Sequence, residues 1–557
     1  MTVVLDGETL TPADVVAVAR DGVRVELSAE ARERVRESRR RVEDVVASGE
    51  PVYGLNTGFG ELVDERIPGS RLEELQHNLV RSHAAGAGRE LTREEVRATM
   101  VVRINALLTG HSGVRETVVD RLVAMCNGGV HPVVRSRGSL GASGDLAPLA
   151  YVALVLIGEG EAVVEPPDRP AADGRKTAVD EPDDSSGSRR LPGDRALETI
   201  GIEPLSLEPK EGLALVNGTQ LTAGLASLSV VDAERLLLAA DAAGALTTEA
   251  TLATTATSDA VIHDARPHPG QRESAANVRR LTTDSEIVEA HRNCDRVQDA
   301  YSLRCLPQVH GAVRDAVDHL RKAVTVELNS ATDNPLVFAT DRVDARASGT
   351  DAAAVLSGGN FHGAPLALRL EYVRLALVDL AAIAERRIDR LLNPNVQESH
   401  LPPFLATDSG VESGYMIVQY TAASLVNELR SLGPASTDNT PVSGGQEDHV
   451  SMSAQSAVHV RRAIENATWV IAAELVCGAE ATEYVQDAFD ADGRLSLGTG
   501  TDAVYEAVRT DVPPLEGDRS ADADVQRVAD LVTAGELTAT LEEAVEGLET
   551  SHAPRGA

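Results

Sequence analysis

The chain has 557 residues, with 86 acidic against 52 basic side chains and a formal charge of −34. Hydrophobic residues make up 43% and charged residues 25%, enough apolar material for a large core, so wholesale disorder is excluded. So is a basic nucleic-acid-binding protein, because this charge repels a phosphate backbone. The length suits three or four ordinary domains or one long helical body.

Lys176, Lys210 and Lys322 are the only lysines, so arginine supplies the other 49 basic side chains. A surface tuned for high salt and a GC-rich genome explain this equally well. Cys126, Cys294, Cys305 and Cys477 form no C-x-x-C pair and are too sparse for a disulfide scaffold. They suit a reducing compartment. The opening MTVVLDGETL lacks a signal-peptide layout. The longest apolar stretch, Leu146 to Ile157, is too short to span a bilayer. The expectation is a cytoplasmic protein.

In chain order, the first singular feature is Gly138-Ser-Leu-Gly-Ala-Ser-Gly-Asp-Leu-Ala-Pro148, which runs into that apolar stretch. Residues 165–194 then replace periodic apolars with proline, glycine, serine and charge, which predicts a flexible, solvated insert. A helical stripe passes through Val313, Val317, Leu320, Val324 and Leu328 and stops at the turn-rich Asn329 to Pro335. A second runs Leu366, Leu370, Val373, Leu377, Leu380, Ala384. Pro365 is tolerated in its first turn, and Asn393-Pro394 ends it. Helical patterns also fill Val411 to Leu432 and Ser451 to Val476, and the tail 550–557 is expected to fray. Strands and helices do not alternate regularly, so a doubly wound sheet is improbable. The fold expected is mainly α, a long-helix bundle over 201–549 preceded by a smaller α/β-containing part over 1–200.

The Gly138–Pro148 loop has a plain reading, a turn in which Ser143 or Asp145 caps the next helix. It is not a phosphate loop, since no G-K-[ST] follows. Rarer chemistry is open to Ala142-Ser143-Gly144. Gly144 has no side chain, so its nitrogen can fold back onto the carbonyl carbon of Ala142. Loss of water from that ring, and of the Ser143 hydroxyl as a second water, leaves an imidazolone with an exocyclic methylene. That is a carbon electrophile which no ordinary side chain offers, and amide donors at a helix start would stabilise charge on its oxygen.

These residues resemble the signature of the aromatic amino acid ammonia-lyases, with their self-made MIO group (4-methylidene-imidazol-5-one). Further matching stretches are Tyr53 to Gly60, Asn78 to His83, Glu211 to Gln220, Gln298 to Cys305, Asn329 to Pro335, Ser357 to Phe361 and Gln446 to Met452. Within the family the likeness is to the members acting on histidine, at Ser82-His83 and at Gln446-Glu447-Asp448-His449. A carboxylate facing the substrate ring suits imidazole, which can donate a hydrogen bond or carry a proton. Against phenyl it would only cost desolvation.

The resemblance implies an MIO formed autocatalytically from Ala142, Ser143 and Gly144, with no external cofactor or metal. It implies elimination of ammonia from L-histidine to give trans-urocanate, the first step of histidine degradation towards glutamate. Whether the substrate amine or its ring adds to the methylidene carbon stays open. Tyr53 would be the catalytic base and Tyr301 would assist proton transfer. Arg304 would hold the substrate carboxylate with its planar fork. Asn217 would bind the carboxylate or the ring system, with Gln298 in support, and Phe361 would pack beside it. His83 and Glu447 would read the imidazole, while His362 and His449 are structural neighbours. A homotetramer with shared active sites is also implied. The competing readings are a phenylalanine or tyrosine ammonia-lyase or aminomutase, an enzyme of the fumarase and aspartase group, and a non-catalytic helical scaffold.

Overall fold

The computed structural model describes residues 2–48, 67–166, 187–292, 296–344, 354–437, 440–489 and 495–550. Helices dominate, and the short strands occur in pairs or in one group of three. No helix among these residues is long and apolar enough to cross a membrane. The chain divides into two compact units that are discontinuous in sequence.

The first unit comprises Met1–Val231, Leu320–Glu371 and Pro434–Val458. Its inner helix, Arg93–Leu108, starts at a reciprocal cap. Thr92 Oγ1 accepts from the Glu95 amide, and the Glu95 carboxylate accepts from the Thr92 amide. Every residue of this helix after Arg93 is buried, so its polar members, Arg103 among them, must find partners inside.

A three-stranded antiparallel sheet orders Val130–Pro132, Glu161–Val164 and Arg189–Pro192 side by side. The two ends of the 165–194 stretch, expected as part of a flexible insert, are therefore ordered. Glu165 is tied down by Arg93 Nε at 2.7 Å, Arg189–Pro192 pairs with Glu161–Val164, and Gly193–Thr199 is a helix. Backbone pairing needs no apolar period, and arginines suit an edge strand, so composition concealed it. Residues 167–186 lie outside the described residues, as do 551–557 of the tail and Cys294.

The second unit comprises Asp232–His319, Tyr372–Gly433 and His459–Ala557 and is helical. Its interior holds a closed polar network rather than hydrocarbon alone. Buried Asp241 accepts from Ser274 Oγ at 2.7 Å, Asn277 Nδ2 at 3.0 Å and Arg314 at 2.6 Å, and His310 Nδ1 lies 2.8 Å from it. The arginine and histidine hold the Asp241 carboxyl well below the usual carboxylate range despite its burial.

The periodic segments form the expected long helices, Leu306–Leu328, Ala364–Leu392, Met416–Ser431 and Ser453–Thr482. All six positions from Leu366 to Ala384 in the predicted stripe are at most 1% exposed, and each buried leucine contributes roughly 2 kcal/mol. Two starts fall later than the apolar pattern. Ser413-Gly414 is held in a turn by Asp518, whose carboxylate accepts from both amides, so that helix begins at Met416. Met452 has a φ of +52°, which no helix allows, so the other begins at Ser453.

Candidate active site

The Gly138–Asp145 loop connects the strand Arg135–Arg137 to the helix Leu146–Leu156 and is pinned on both sides. Ahead of the central tripeptide, the Gly141 carbonyl accepts from Ser451 Oγ and from the Gly363 amide, each at 2.9 Å. The Met452 amide donates to the Leu140 carbonyl at 2.7 Å, which accounts for the left-handed turn at Met452. Behind the tripeptide, the Asp145 amide donates to the Gly218 carbonyl at 2.6 Å. The Asp145 carboxylate accepts from Ser139 Oγ at 2.7 Å and from the Thr222 amide at 2.8 Å. Complete burial pushes the Asp145 carboxyl up, against these hydrogen bonds and the field of Arg103.

Neither Ser143 nor Asp145 caps the following helix as the plain reading expects. Asp145 occupies the N-cap position but makes no capping bond, because Thr222 and Ser139 claim its oxygens. The Ser143 hydroxyl instead donates to Glu447 Oε1 at 2.9 Å, while the Ser143 carbonyl accepts from Asn217 Nδ2 at 2.7 Å. Gly144 has a φ of +77°, and a Cβ there would lie 2.2 Å from the Gly218 carbonyl oxygen. Only glycine permits that approach.

Asn217 follows the helix Glu211–Val216 with extended torsions, which turn its side chain towards Ser143. Its Oδ1 is buried and has no hydrogen-bond partner among the described residues. His83 is the last residue of the helix Leu72–His83. Its Nδ1 lies 2.8 Å from the Leu79 carbonyl, so Nδ1 carries the proton and Nε2 keeps a lone pair. Burial pushes the His83 pKa down, with the charge of Glu447 opposing. Phe361 is half-buried, two residues before Gly363. The His362 and His449 rings stack with centroids 5.7 Å apart.

Ala142, Ser143, Gly144, His83, Asn217, Phe361 and Glu447 thus belong to the first unit. Gln298, Tyr301 and Arg304 belong to the second, where they are brought together. Arg304 donates to Gln298 Oε1 at 2.7 Å, and its guanidinium lies 5.8 Å from the centre of the Tyr301 ring. Tyr301 is 71% exposed. Its short helix, Tyr301–Arg304, is held from beneath by Arg387, which is paired twice to Glu474 and donates to the Ser302 carbonyl at 3.3 Å. Tyr53 lies outside the described residues.

Several residues that build the site were assigned no role from sequence: Ser139, Thr222, Gly218, Gly363, Ser451 and Arg103. Ser139, Gly218 and Ser451 sit inside matching stretches, so their presence was visible although their bonds were not. Thr222, Gly363 and Arg103 lie outside every stretch, and no local pattern points to them.

The chain is similar to known proteins over nearly its full length. The profile of the family described as aromatic amino acid lyase matches residues 10–510. A probable histidine ammonia-lyase of Halobacterium salinarum is 59% identical over 533 residues, covering 96% of each chain. Among solved structures, a tyrosine aminomutase from Streptomyces globisporus is similar, with a TM-score of 0.86 and 38% identity over 98% of this chain and 99% of the other. A histidine ammonia-lyase from Trypanosoma cruzi is similar, with a TM-score of 0.85 and 36% identity over 100% and 99%.

Proposed function

The chain belongs to the aromatic amino acid lyase family, and from that premise we propose that it eliminates ammonia from L-histidine to give trans-urocanate. The carrying observation is the double hold on Ser143, with Asn217 at its carbonyl and a carboxylate, Glu447, at its hydroxyl. The tyrosine and phenylalanine readings leave an anionic side chain against an apolar or phenolic ring, at a desolvation cost. Imidazole offers that carboxylate an N–H or a positive charge.

The tripeptide fits the source of an MIO group. Gly144 lies in a cradle that a Cβ would fill, Gly141 and Asp145 are pinned on either side, and the Ser143 carbonyl already has a donor. The group would supply a carbon electrophile that the twenty side chains lack. Asn217 Nδ2 stabilises negative charge on the Ser143 oxygen, and Asn217 Oδ1 is open to accept from the substrate ammonium. Glu447 accepts from the imidazole, and His83 Nε2 is a second acceptor at that ring. Arg304, held by Gln298, grips the substrate carboxylate bidentately. Tyr53 removes the proton from the carbon next to the imidazole, and Tyr301 assists. Phe361 packs beside the reacting groups.

The same reading includes a homotetramer with shared active sites. Leu368, Tyr372 and Leu375 form an exposed apolar line at helical spacing, and Ile417 and Tyr420 form another. The exposure of Tyr301 supports it too, since a catalytic tyrosine needs shelter from water. Cytoplasmic location belongs to the proposal and agrees with free thiols at Cys126, Cys305 and Cys477.

The test is purified protein with L-histidine at high salt, followed by near-ultraviolet absorbance of urocanate and by released ammonia, beside Ser143→Ala. A flat trace, or preferred turnover of tyrosine or phenylalanine, overturns the histidine reading. Light scattering checks the assembly, and a monomer overturns the tetramer.

A further inference from the structure

Arg103 lies on the buried helix Arg93–Leu108 and is 1% exposed. A buried guanidinium is normally matched by a carboxylate, yet no described carboxylate is within ion-pair distance of Arg103. It donates instead to two main-chain carbonyls at the end of the helix Glu211–Val216, to Ala214 at 2.9 Å and to Asn217 at 2.8 Å. Burial pushes its pKa down to about 10, with the fields of Asp333 and Asp145 opposing. Holding this charge inside the protein is costly, and the helix end alone could have been closed by water or a neutral donor.

The two carbonyls that follow one another here are both taken. Arg103 holds that of Asn217, and the Asp145 amide holds that of Gly218. With both fixed, the Asn217–Gly218 peptide cannot rotate, and the Asn217 side chain stays 2.7 Å from the Ser143 carbonyl. The cation also lies at the C-terminal end of the helix dipole, where positive charge is favoured.

We propose that Arg103 is a positioning residue for the reaction: it locks Asn217 against the Ser143 carbonyl and directs positive potential to the oxygen where negative charge builds. This rests on the reading of Ser143 as the source of the electrophile. Arg103 touches neither substrate nor the reacting atoms: its hold acts through Asn217, and its charge, which the lysine variant keeps, acts through space.

The experiment compares wild type, Arg103→Lys, Arg103→Gln, Asn217→Ala and Asn217→Ala with Arg103→Lys. Lysine keeps the charge but has a single donor nitrogen in place of the two that Arg103 uses, and glutamine keeps a donor nitrogen without charge. Intact mass first reports whether the two waters have been lost, which also certifies a folded loop. Borohydride then reads electrophilicity without substrate, as the rate at which near-ultraviolet absorbance of the ring is quenched.

The expected order of quenching rate and of kcat is wild type, then lysine, then glutamine. Lysine should lower kcat about 10- to 100-fold, as for other residues that orient a reacting group's partner, with KM little changed. Added to Asn217→Ala, the lysine substitution should bring no further loss. Unchanged rates, a reversed order, absent water loss in Arg103→Lys beside a normal wild type, or a multiplying loss in the double variant each overturn the proposal. Wild type without the two-water loss overturns the underlying functional reading as well, which separates the two failures.

Discussion

The hydroxyl of Ser143 donates a 2.9 Å hydrogen bond to the carboxylate of Glu447, 304 positions later in the chain. One residue is read as the origin of the electrophile and the other as the reader of the substrate ring. On that proposed reading the bond places the selective group at the reacting centre, and recognition and chemistry share one small volume. Glu447→Gln separates them. The amide can still accept from Ser143, so intact mass should keep the two-water loss, while histidine turnover falls about 100-fold for want of the anion. Unaltered turnover in the urocanate assay would contradict the role given to the charge.

Asn217 donates to the Ser143 carbonyl at 2.7 Å. Asn217→Ala removes the sole side-chain donor that the described residues offer this oxygen. Loss of one such donor costs about 100- to 1,000-fold in kcat, with a smaller change in KM, readable in steady-state kinetics on histidine.

Gly144→Ala should abolish the two-water loss altogether. The new Cβ would stand 2.2 Å from the Gly218 carbonyl at a φ of +77°, so strain and collision act together. Mass spectrometry should find the unmodified chain, and thermal unfolding should begin at a lower temperature than in wild type.

His131 makes stability fall in acid. It is buried beside Glu165, with Nε2 3.2 Å from the carboxylate, and burial pushes its pKa down to about 4 from the ordinary 6.5. The unfolded chain therefore binds a proton that the folded chain refuses. Its contribution is fully present above pH 6.5 and is lost as pH falls towards 4, roughly 3 kcal/mol at full extent. His131→Phe should flatten this part of the denaturant-midpoint profile, and an unchanged slope between pH 6.5 and 4 would count against it.

Glu249 works in the opposite direction. Burial pushes its carboxyl up to about 7, against hydrogen bonds that include the Gly498 amide at 2.9 Å. Ionising it destabilises the fold progressively as pH rises from its ordinary value through 7. Glu249→Gln keeps an acceptor for Gly498 and should raise stability at pH 8 by about 1 to 3 kcal/mol, with little change at pH 5. Calorimetry at the two pH values tests the difference.

Much of the fold was legible because its long helices announce themselves by period. Leu366 to Ala384 must bury one stripe, and Pro365 and Asn393-Pro394 mark its ends. The strand Arg189–Pro192 was not legible, since pairing to Glu161–Val164 satisfies its backbone without any apolar signal. Of the candidate site, Ala142-Ser143-Gly144, Asn217, His83 and Glu447 were singled out through dense local motifs, and the structure joins Ser143 to Asn217 and Glu447 by hydrogen bonds. The clamps on that loop, Ser451 and Gly363 on Gly141 and Thr222 on Asp145, were not assigned, because a serine, glycine or threonine has no distinctive spacing.

By itself the sequence determined the chemistry available: a glycine that can fold back, a serine that can lose its hydroxyl, and a carboxylate suited to imidazole. These are properties of residue types and short spacings, which survive without coordinates. Only the tertiary structure decided what surrounds each of them. That Ser143 meets Asn217 and Glu447, that Asp145 turns from its cap to Thr222, and that Arg103 holds the carbonyl of Asn217 all depend on contacts between residues far apart in the chain. Such contacts are set by packing of whole helices, and no window of neighbouring residues encodes them.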